Sequence, residues 1–299
     1  MKSLIEAFES SGFKYETGFS MNRYTSMKVG GSAEVIVYPR NSSELIDILN
    51  LLRSHEVKWM VLGSGSNVIA GDKINGVVVS TKNMKRVDIL DGGRVEAESG
   101  ATLGQVLNLT LKAGLLGLEF ATGIPGTIGG GVIMNAGANG GELCDVVERV
   151  WVWHEGKEIP INKDEIGFEY RGSHFPTGSV VTRIRLALKP GDTSLSKEAV
   201  KLYLKKRNKT QPVEIANSGS VFKNPKEMPA GKLLDDLGLK GYRIGTAKFS
   251  ERHANFIVNM GGAKPGDVLK LIDFAKNTVY KKTGIVLENE VKIIGEFEQ

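Results

Sequence analysis

Apolar positions along the chain switch between two periods. In NSSELIDILNLLRSH (41–55), Leu45, Ile46, Ile48, Leu49, Leu51 and Leu52 recur at helical spacing, with Asn41 and Glu44 in capping-box register. WMVLG (59–63) is too short for a helix and predicts a buried strand. VVVS (77–80) predicts another, with the polar turn GSGSN between them. VDIL (87–90) and RVEAESG (94–100) flank Asp91-Gly92-Gly93 as a hairpin would. A helix is expected over 102–113, with Thr102 and Gln105 as its capping pair and Gly114 as its stop. ERVWVWH (148–154) and VVTRIRLAL (180–188) alternate like strands. Lys189-Pro190-Gly191-Asp192 is the best break, and a basic helix follows over about 195–208. Further helices fit 229–237 and 265–282, and VLENEVKIIGEF (286–297) predicts a final strand. Alternating strands and helices without an internal repeat predict an α+β or α/β fold of two or more lobes.

One stretch breaks the pattern: GTIGGGVIMNAGANGG, 126–141. A flexible linker would be polar and rich in Ser or Pro. Ile128, Val132, Ile133 and Met134 instead mark ordered backbone built around a ligand. GSGSN (63–67) can form an anion-binding nest of amides and hydroxyls, or an ordinary tight turn. It is no dinucleotide fingerprint, because Gly-x-Gly-x-x-Gly fails at Val68, and no Gly-Lys-Ser/Thr follows for a phosphate-binding loop of the Walker kind. GIPGTIGG (123–130) adds Pro125 and four glycines in eight residues. Two such loops can close on the two sides of a long dinucleotide, amides on the pyrophosphate and apolar residues on the ring.

Composition narrows the classes. At 299 residues, 41% hydrophobic and 24% charged, the chain is neither disordered nor a coiled coil. No apolar run approaches the roughly 20 residues of a membrane span. The start, MKSLIEAFESSGFKYE, lacks the apolar core of a secretion signal. The single cysteine, Cys144, allows no internal disulfide, as expected in a reducing compartment. The four histidines lack metal-ligand spacing, so no metal is expected. A net charge of +5 suits anionic partners such as nucleotides and phosphosugars. The dense basic run, KLYLKKRNK (201–209), reads as a solvated helix face, with a nucleic-acid patch as the alternative.

VLGSGSN followed by GIPGTIGGGVIMNAGA resembles the FAD-binding segment of the UDP-N-acetylenolpyruvoylglucosamine reductases. These are flavoenzymes of peptidoglycan synthesis with the vanillyl-alcohol-oxidase-like (PCMH-type) fold. YTSMKVGGSAE (24–34), FEYRGSHF (168–175), GSVFKNP (219–225), GTAKFSERHANFIVN (245–259) and LENEVKIIG (287–295) match in order. Gly131 stands where alanine is usual, and Asn139 where tyrosine is common. The resemblance implies an α+β architecture. An FAD-binding region of two sub-lobes would span 1–190. A C-terminal α/β substrate lobe would span 191–299, its last strand bringing Glu290 back toward the flavin. The chain resembles the shorter type, which lacks an extra substrate-capping loop.

The resemblance also implies a reaction and its residues. NADPH reduces a non-covalently held FAD, and hydride then passes to the enolpyruvyl methylene carbon of UDP-N-acetylglucosamine enolpyruvate. The FAD contacts would be Gly63, Ser64, Gly65, Ser66, Asn67, Gly123, Pro125, Gly126, Thr127, Gly129, Gly130, Asn135, Ala136 and Gly137. An enolate-like centre beside the carboxylate needs a cation, an acid and a proton donor. Arg171 suits the carboxylate, because a guanidinium binds it through two parallel hydrogen bonds; the plain alternative is an ion pair with Glu169 or Glu165. Glu290, sharing a strand face with Glu288, would be the acid or a partner of Arg171. Ser220 would donate the proton, aided by Lys223 or a water. Tyr170, Lys209, Asn224, Arg243 and His253 are expected to bind substrate, with Arg207 a further candidate. The expected molecule is a cytoplasmic monomer that binds neither nucleic acid nor membrane. Two rivals remain: an oxidase on the same scaffold, often tethering flavin through a histidine (none lies between 56 and 153), and a colourless nucleotide or nucleic-acid binder.

Overall fold

Burial sorts the apolar pattern into two separate cores. A computed structural model describes residues 1–298. Contacts group them into two compact units, each assembled from separated stretches. The first takes Met1–Glu16, Ile36–Ser64 and Gly76–Lys205; the second takes Thr17–Val35, Gly65–Asn75 and the chain from Lys206 onward. The predicted break at 189–192 lies inside the first unit, and two short N-terminal stretches join the C-terminal half. Among the described residues no helix is long and apolar enough to cross a membrane, and no cluster of His, Cys, Asp and Glu could hold a metal ion.

The first unit contains α1 (Lys2–Ser10), α2 (Ser42–Ser54), α3 (Leu103–Lys112), α4 (Ile128–Ile133) and most of α5 (Ser194–Thr210). Asn41 Oδ1 accepts from the Glu44 amide at 3.0 Å, so the predicted cap of α2 forms. The Glu44 carboxylate turns instead to the amide and guanidinium of Arg40. At α3, Thr102 Oγ1 accepts from the Gln105 amide at 3.1 Å, while the Gln105 side chain donates to the Lys85 carbonyl. Only half of each capping box is therefore made.

A five-stranded antiparallel sheet runs in the order Lys157–Asn162, Val147–His154, Val180–Ala187, Arg94–Glu98, Val87–Ile89. Alternation puts Val95, Ala97, Val150, Val152, Ile184 and Leu186 into the core. The opposite face carries Trp151 beneath the Arg183 and Arg185 guanidinium groups, 4.0 and 4.8 Å from its ring centre. Glu96 ties both arginines at 2.6 and 2.9 Å, and they hold its carboxyl below the usual carboxylate range.

The second unit centres on an antiparallel sheet ordered Asn217–Ser220, Phe256–Asn259, Ala247–Phe249, Arg243–Ile244. The short α6 (Ala230–Asp236) and the long α7 (Pro265–Thr283) belong to it, and α7 buries Val268, Leu271, Ile272, Ala275 and Val279. Asn259 Nδ2 donates to the carbonyls of Met27 and Lys28 at 3.0 and 3.2 Å, fastening the 17–35 stretch to this sheet. Val68–Ala70 pairs in parallel with Lys292–Ile294. The expected final strand over 286–297 is thus a strand only at Lys292–Ile294. Upstream, the chain hydrogen-bonds irregularly to 221–223: the Glu290 amide to the Val221 carbonyl, and the Lys223 amide to the Glu288 carbonyl.

Candidate active site

Gly63, the first residue of one glycine loop, lies against the other glycine loop inside the first unit, while residues 65–67 belong to the second unit. A Cβ on Gly63 would overlap Thr127 Oγ1. Thr127 is buried and caps α4, accepting from the Gly130 amide at 3.4 Å. The Ile128 and Gly129 amides donate to the Ala101 and Ser99 carbonyls at 2.8 and 2.9 Å. The first donors of α4 are therefore taken by the chain itself. The glycines follow the same logic. A Cβ on Gly129 would sit 2.7 Å from Ser99 Cβ and 2.9 Å from its carbonyl oxygen, and one on Gly131 would sit 2.8 Å from Leu143 Cδ1. Both glycines leave room for neighbouring parts of the chain that a Cβ would displace. Gly130 differs, because its nearest obstacle is 3.6 Å away.

Gly129→Ala is expected to lower stability by about 1–3 kcal/mol, while Gly130→Ala changes it by less than about 1 kcal/mol. Thermal unfolding of the two variants side by side checks the contrast, and equal melting shifts would refute it. At Gly131 the obstacle is the end of a flexible leucine, which can give way to the alanine usual in the resembling sequences.

Arg171 sits at the tip of a hairpin formed by Gly167–Glu169 and Gly172–His174, with Tyr170 as the other tip residue. Its φ is 58°, a region in which a side-chain-bearing residue costs about 1–2 kcal/mol and glycine is favoured. The guanidinium is aimed by two contacts: Nη2 donates to the Gly137 carbonyl at 2.9 Å, and its carbon lies 5.0 Å from the Tyr170 ring centre. Glu169 instead lies 3.5 Å from His174. A cavity of about 410 Å³ is lined by the 137–142 backbone, Asp145 and Arg171. Ala136 packs against the core, and Pro125 is exposed. Asn135, expected at the cofactor, is fully buried and spends its side chain on the chain itself, as described further below. Cys144 Sγ donates to Glu142 Oε1 at 3.1 Å, and burial with that carboxylate pushes the thiol up to about 11. It is therefore no thiolate near neutral pH.

In the second unit the chain brings Ser220 beside Glu290 through their backbones. The Glu290 amide donates to the carbonyl of Val221, the residue after Ser220, and Asn289 bridges Phe222. Asn67 closes this corner: its Nδ2 donates to the Glu290 carbonyl at 3.1 Å, and its own carbonyl accepts from the Lys292 amide. Asn67 thus supports Glu290 with the side chain expected at the cofactor. Gly65 lies against Tyr24, and Ser26 Oγ donates to the Asn217 carbonyl at 2.7 Å. Glu288 and Glu290 do not share a strand face, since no regular strand runs there. Glu288 points to Lys223 at 3.5 Å, so the cation proposed to assist Ser220 has a carboxylate of its own.

Ser220, Asn224 and the more distant His253 line one cavity of about 450 Å³. Lys209 and Arg243 are exposed and do not line it. Burial pulls Arg207 below its ordinary value. Sequence reasoning missed Lys232, Lys240 and Arg252, which do line the cavity; Arg252 stands next to His253, which was the available signal. Lys232 and Lys240 pair with Asp236 and Asp235 at 2.8 and 2.6 Å. Arg252 donates to the carbonyls of Asn208 and Gln211 at the end of α5 and pairs with Glu214 at 2.7 Å. Asn224 Oδ1 accepts from the Ala230 amide at 3.0 Å and so caps α6.

His253 Nδ1 accepts from the Asn255 amide at 3.3 Å, which places the proton of the neutral ring on Nε2. Burial first, then the Lys240 charge, lowers its pKa. Between that lowered value and the ordinary value near 6.5, the unfolded chain binds more protons than the native one. Stability is therefore full above about pH 6.5 and falls as pH drops toward the folded value. Wild type is expected to lose more stability than His253→Gln between pH 7.5 and 5.5, read from urea midpoints; parallel losses would contradict it.

No charged residue occurs within 61–70 or 120–138, so these loops themselves bring no carboxylate toward an anionic group. Amides and hydroxyls without a charged neighbour in the same loop are the donor chemistry that the phosphates of a nucleotide cofactor need. Comparison with known proteins places this chain among flavin-dependent oxidoreductases. Residues 33–157 match the family described as FAD binding domain. Residues 211–294 match UDP-N-acetylenolpyruvoylglucosamine reductase, C-terminal domain. A UDP-N-acetylenolpyruvoylglucosamine reductase of Caldicellulosiruptor bescii is 43% identical over 97% of this chain and 94% of its own length. The crystal structure of the Thermus caldophilus reductase superposes with a TM-score of 0.81 at 35% identity, over 94% of this chain and 98% of that one. Glucooligosaccharide oxidase of Acremonium strictum shares the fold alone: TM-score 0.50, 14% identity, 96% of this chain and 61% of its own. The chain belongs to the UDP-N-acetylenolpyruvoylglucosamine reductase family. It is an FAD-dependent oxidoreductase of peptidoglycan synthesis.

Proposed function

We propose that the chain uses NADPH to reduce UDP-N-acetylglucosamine enolpyruvate to UDP-N-acetylmuramate, as a cytoplasmic monomer bound to neither nucleic acid nor membrane. FAD, held non-covalently at the two glycine loops, supplies the hydride relay between the nicotinamide and the enolpyruvyl methylene carbon. Arg171 holds the substrate carboxylate and stabilises the charge that develops beside it. Ser220 Oγ delivers the proton to carbon, and Glu290 supports that step as the neighbouring acid. Asn224, His253 and Lys240 hold the diphosphate, with Arg243 and Lys209 at longer range, and Tyr170 steadies Arg171. FAD binding is assigned to 1–190 and substrate binding to 191–299, a reading supported by an FAD-binding match within the first stretch (33–157) and a reductase C-terminal match within the second (211–294).

The observation that carries this reading is Arg171 held at a φ of 58° and aimed by a backbone carbonyl. A strained arginine at a two-residue hairpin tip persists where its side chain is needed. Two features support a non-covalent flavin: no histidine lies between 56 and 153, and the Cys144 thiol is raised. NADPH oxidation by the purified yellow protein should depend on the enolpyruvyl substrate. Oxidation with oxygen alone, or none despite bound FAD, would remove the substrate assignment and leave the scaffold.

A further inference from the structure

Asn135 follows α4 with a φ of 39°, and its side chain is fully buried. Both ends of its amide are engaged by the chain: Nδ2 donates to the Glu169 carbonyl at 3.1 Å, and Oδ1 accepts from the Cys144 amide at 3.0 Å. Glu169 is the strand residue just before the hairpin tip that carries Tyr170 and Arg171. The neighbours of Asn135 grip the same hairpin. Ser173 Oγ donates to the Ile133 carbonyl at 3.0 Å, and Arg171 Nη2 donates to the Gly137 carbonyl at 2.9 Å. The other arm of Asn135 holds the 142–145 turn, which lines the same cavity as Arg171. From this geometry we infer that Asn135 is the positioning residue for Arg171: one buried amide fixes both the hairpin and the turn that face the cavity.

The physical case rests on rigidity. A two-residue hairpin with strands of three residues each has little stability of its own. Arg171 must hold its fork in one place against a strained backbone, and a displacement of about 1 Å can cost about 100-fold in rate. Satisfied hydrogen bonds of a buried amide are strong in that setting. Asn also tolerates the positive φ better than other non-glycine residues, so the residue type suits both demands.

This inference rests on the role proposed for Arg171, and its test is built to fail separately from that reading. Asn135→Gly keeps the backbone conformation and deletes both side-chain bonds. In the FAD-bound protein, amide hydrogen exchange over 167–174 is expected to speed up at least tenfold, while FAD affinity from flavin fluorescence changes less than about twofold. In stopped flow, reoxidation by the enolpyruvyl substrate should slow about 10- to 100-fold, with reduction by NADPH unchanged. In an Arg171→Ala background the same change should slow reoxidation by less than about twofold, because the group it positions is gone. Ser173→Ala, a milder release of the same hairpin at a polar surface position, should raise exchange by a few-fold. Unchanged hairpin exchange in both variants overturns the inference. So does an equal kinetic effect with and without Arg171, and so does a loss of FAD affinity without loosening of the hairpin. If the substrate itself proves wrong, exchange and FAD titration still decide the positioning role.

Discussion

Arg171→Ala and Arg171→Gly are both expected to slow reduction of the enolpyruvyl substrate by about 10²–10³-fold, the usual loss when one preorganised donor to a developing oxyanion is removed. Flavin reduction by NADPH should stay near wild type in both. The two variants should then part in stability. Alanine keeps the backbone at 58° without the contacts to Gly137 and Tyr170, whereas glycine adopts that φ freely. Glycine is expected to be the more stable by about 1–2 kcal/mol. Arg171→Lys keeps the charge but loses the fork, and should recover only a small part of the rate. Stopped-flow half-reactions and urea unfolding of the three variants provide the measurements. A fully active glycine variant would remove Arg171 from the chemistry. Equal stability of the alanine and glycine variants would remove the strain argument.

Ser220→Ala should leave folding and flavin reduction alone and slow reoxidation by substrate by about 10²–10⁴-fold, the range for loss of a positioned proton donor. The structural basis is specific. Ser220 Oγ makes no hydrogen bond with other described residues and lines the 450 Å³ cavity with Asn224 and His253. Deleting it costs no internal bond, so a change in melting temperature beyond about 2 °C would point to a structural role instead. Solvent deuterium adds an independent readout, because proton delivery to carbon should slow in D₂O in wild type. If both half-reactions are unchanged in the alanine variant, the proton comes from elsewhere.

Much of the local structure was legible from residue order alone. The caps at Asn41 and Thr102, the hairpin around 91–93 and the helix boundaries follow from short-range rules, because each is decided within four or five residues. The family resemblance was legible for the same reason, since its motifs are contiguous. The glycine stretch shows where that legibility stops. There Gly129 and Gly131 admit Ser99 and Leu143, neighbours from outside the stretch that residue order does not name. The final strand is shorter than expected because the backbone of Glu288, Glu290 and Val291 bonds irregularly to 221–223 rather than in a ladder.

The sequence by itself determined most of the longer helices and strands, the two glycine loops, the family and the chemical types at the site. Those depend on residue identity, local propensity and periodicity. Only tertiary structure decided which candidates act on a ligand and which act on the chain. It put Asn67 on the Glu290 carbonyl and Asn135 on the Glu169 carbonyl, gave Lys223 to Glu288, and added Lys240 and Arg252 to the cavity of Ser220. The physical reason is that an amide or a cation binds whatever partner folding places within about 3 Å, and no local rule in the sequence names a partner outside its own turn or element.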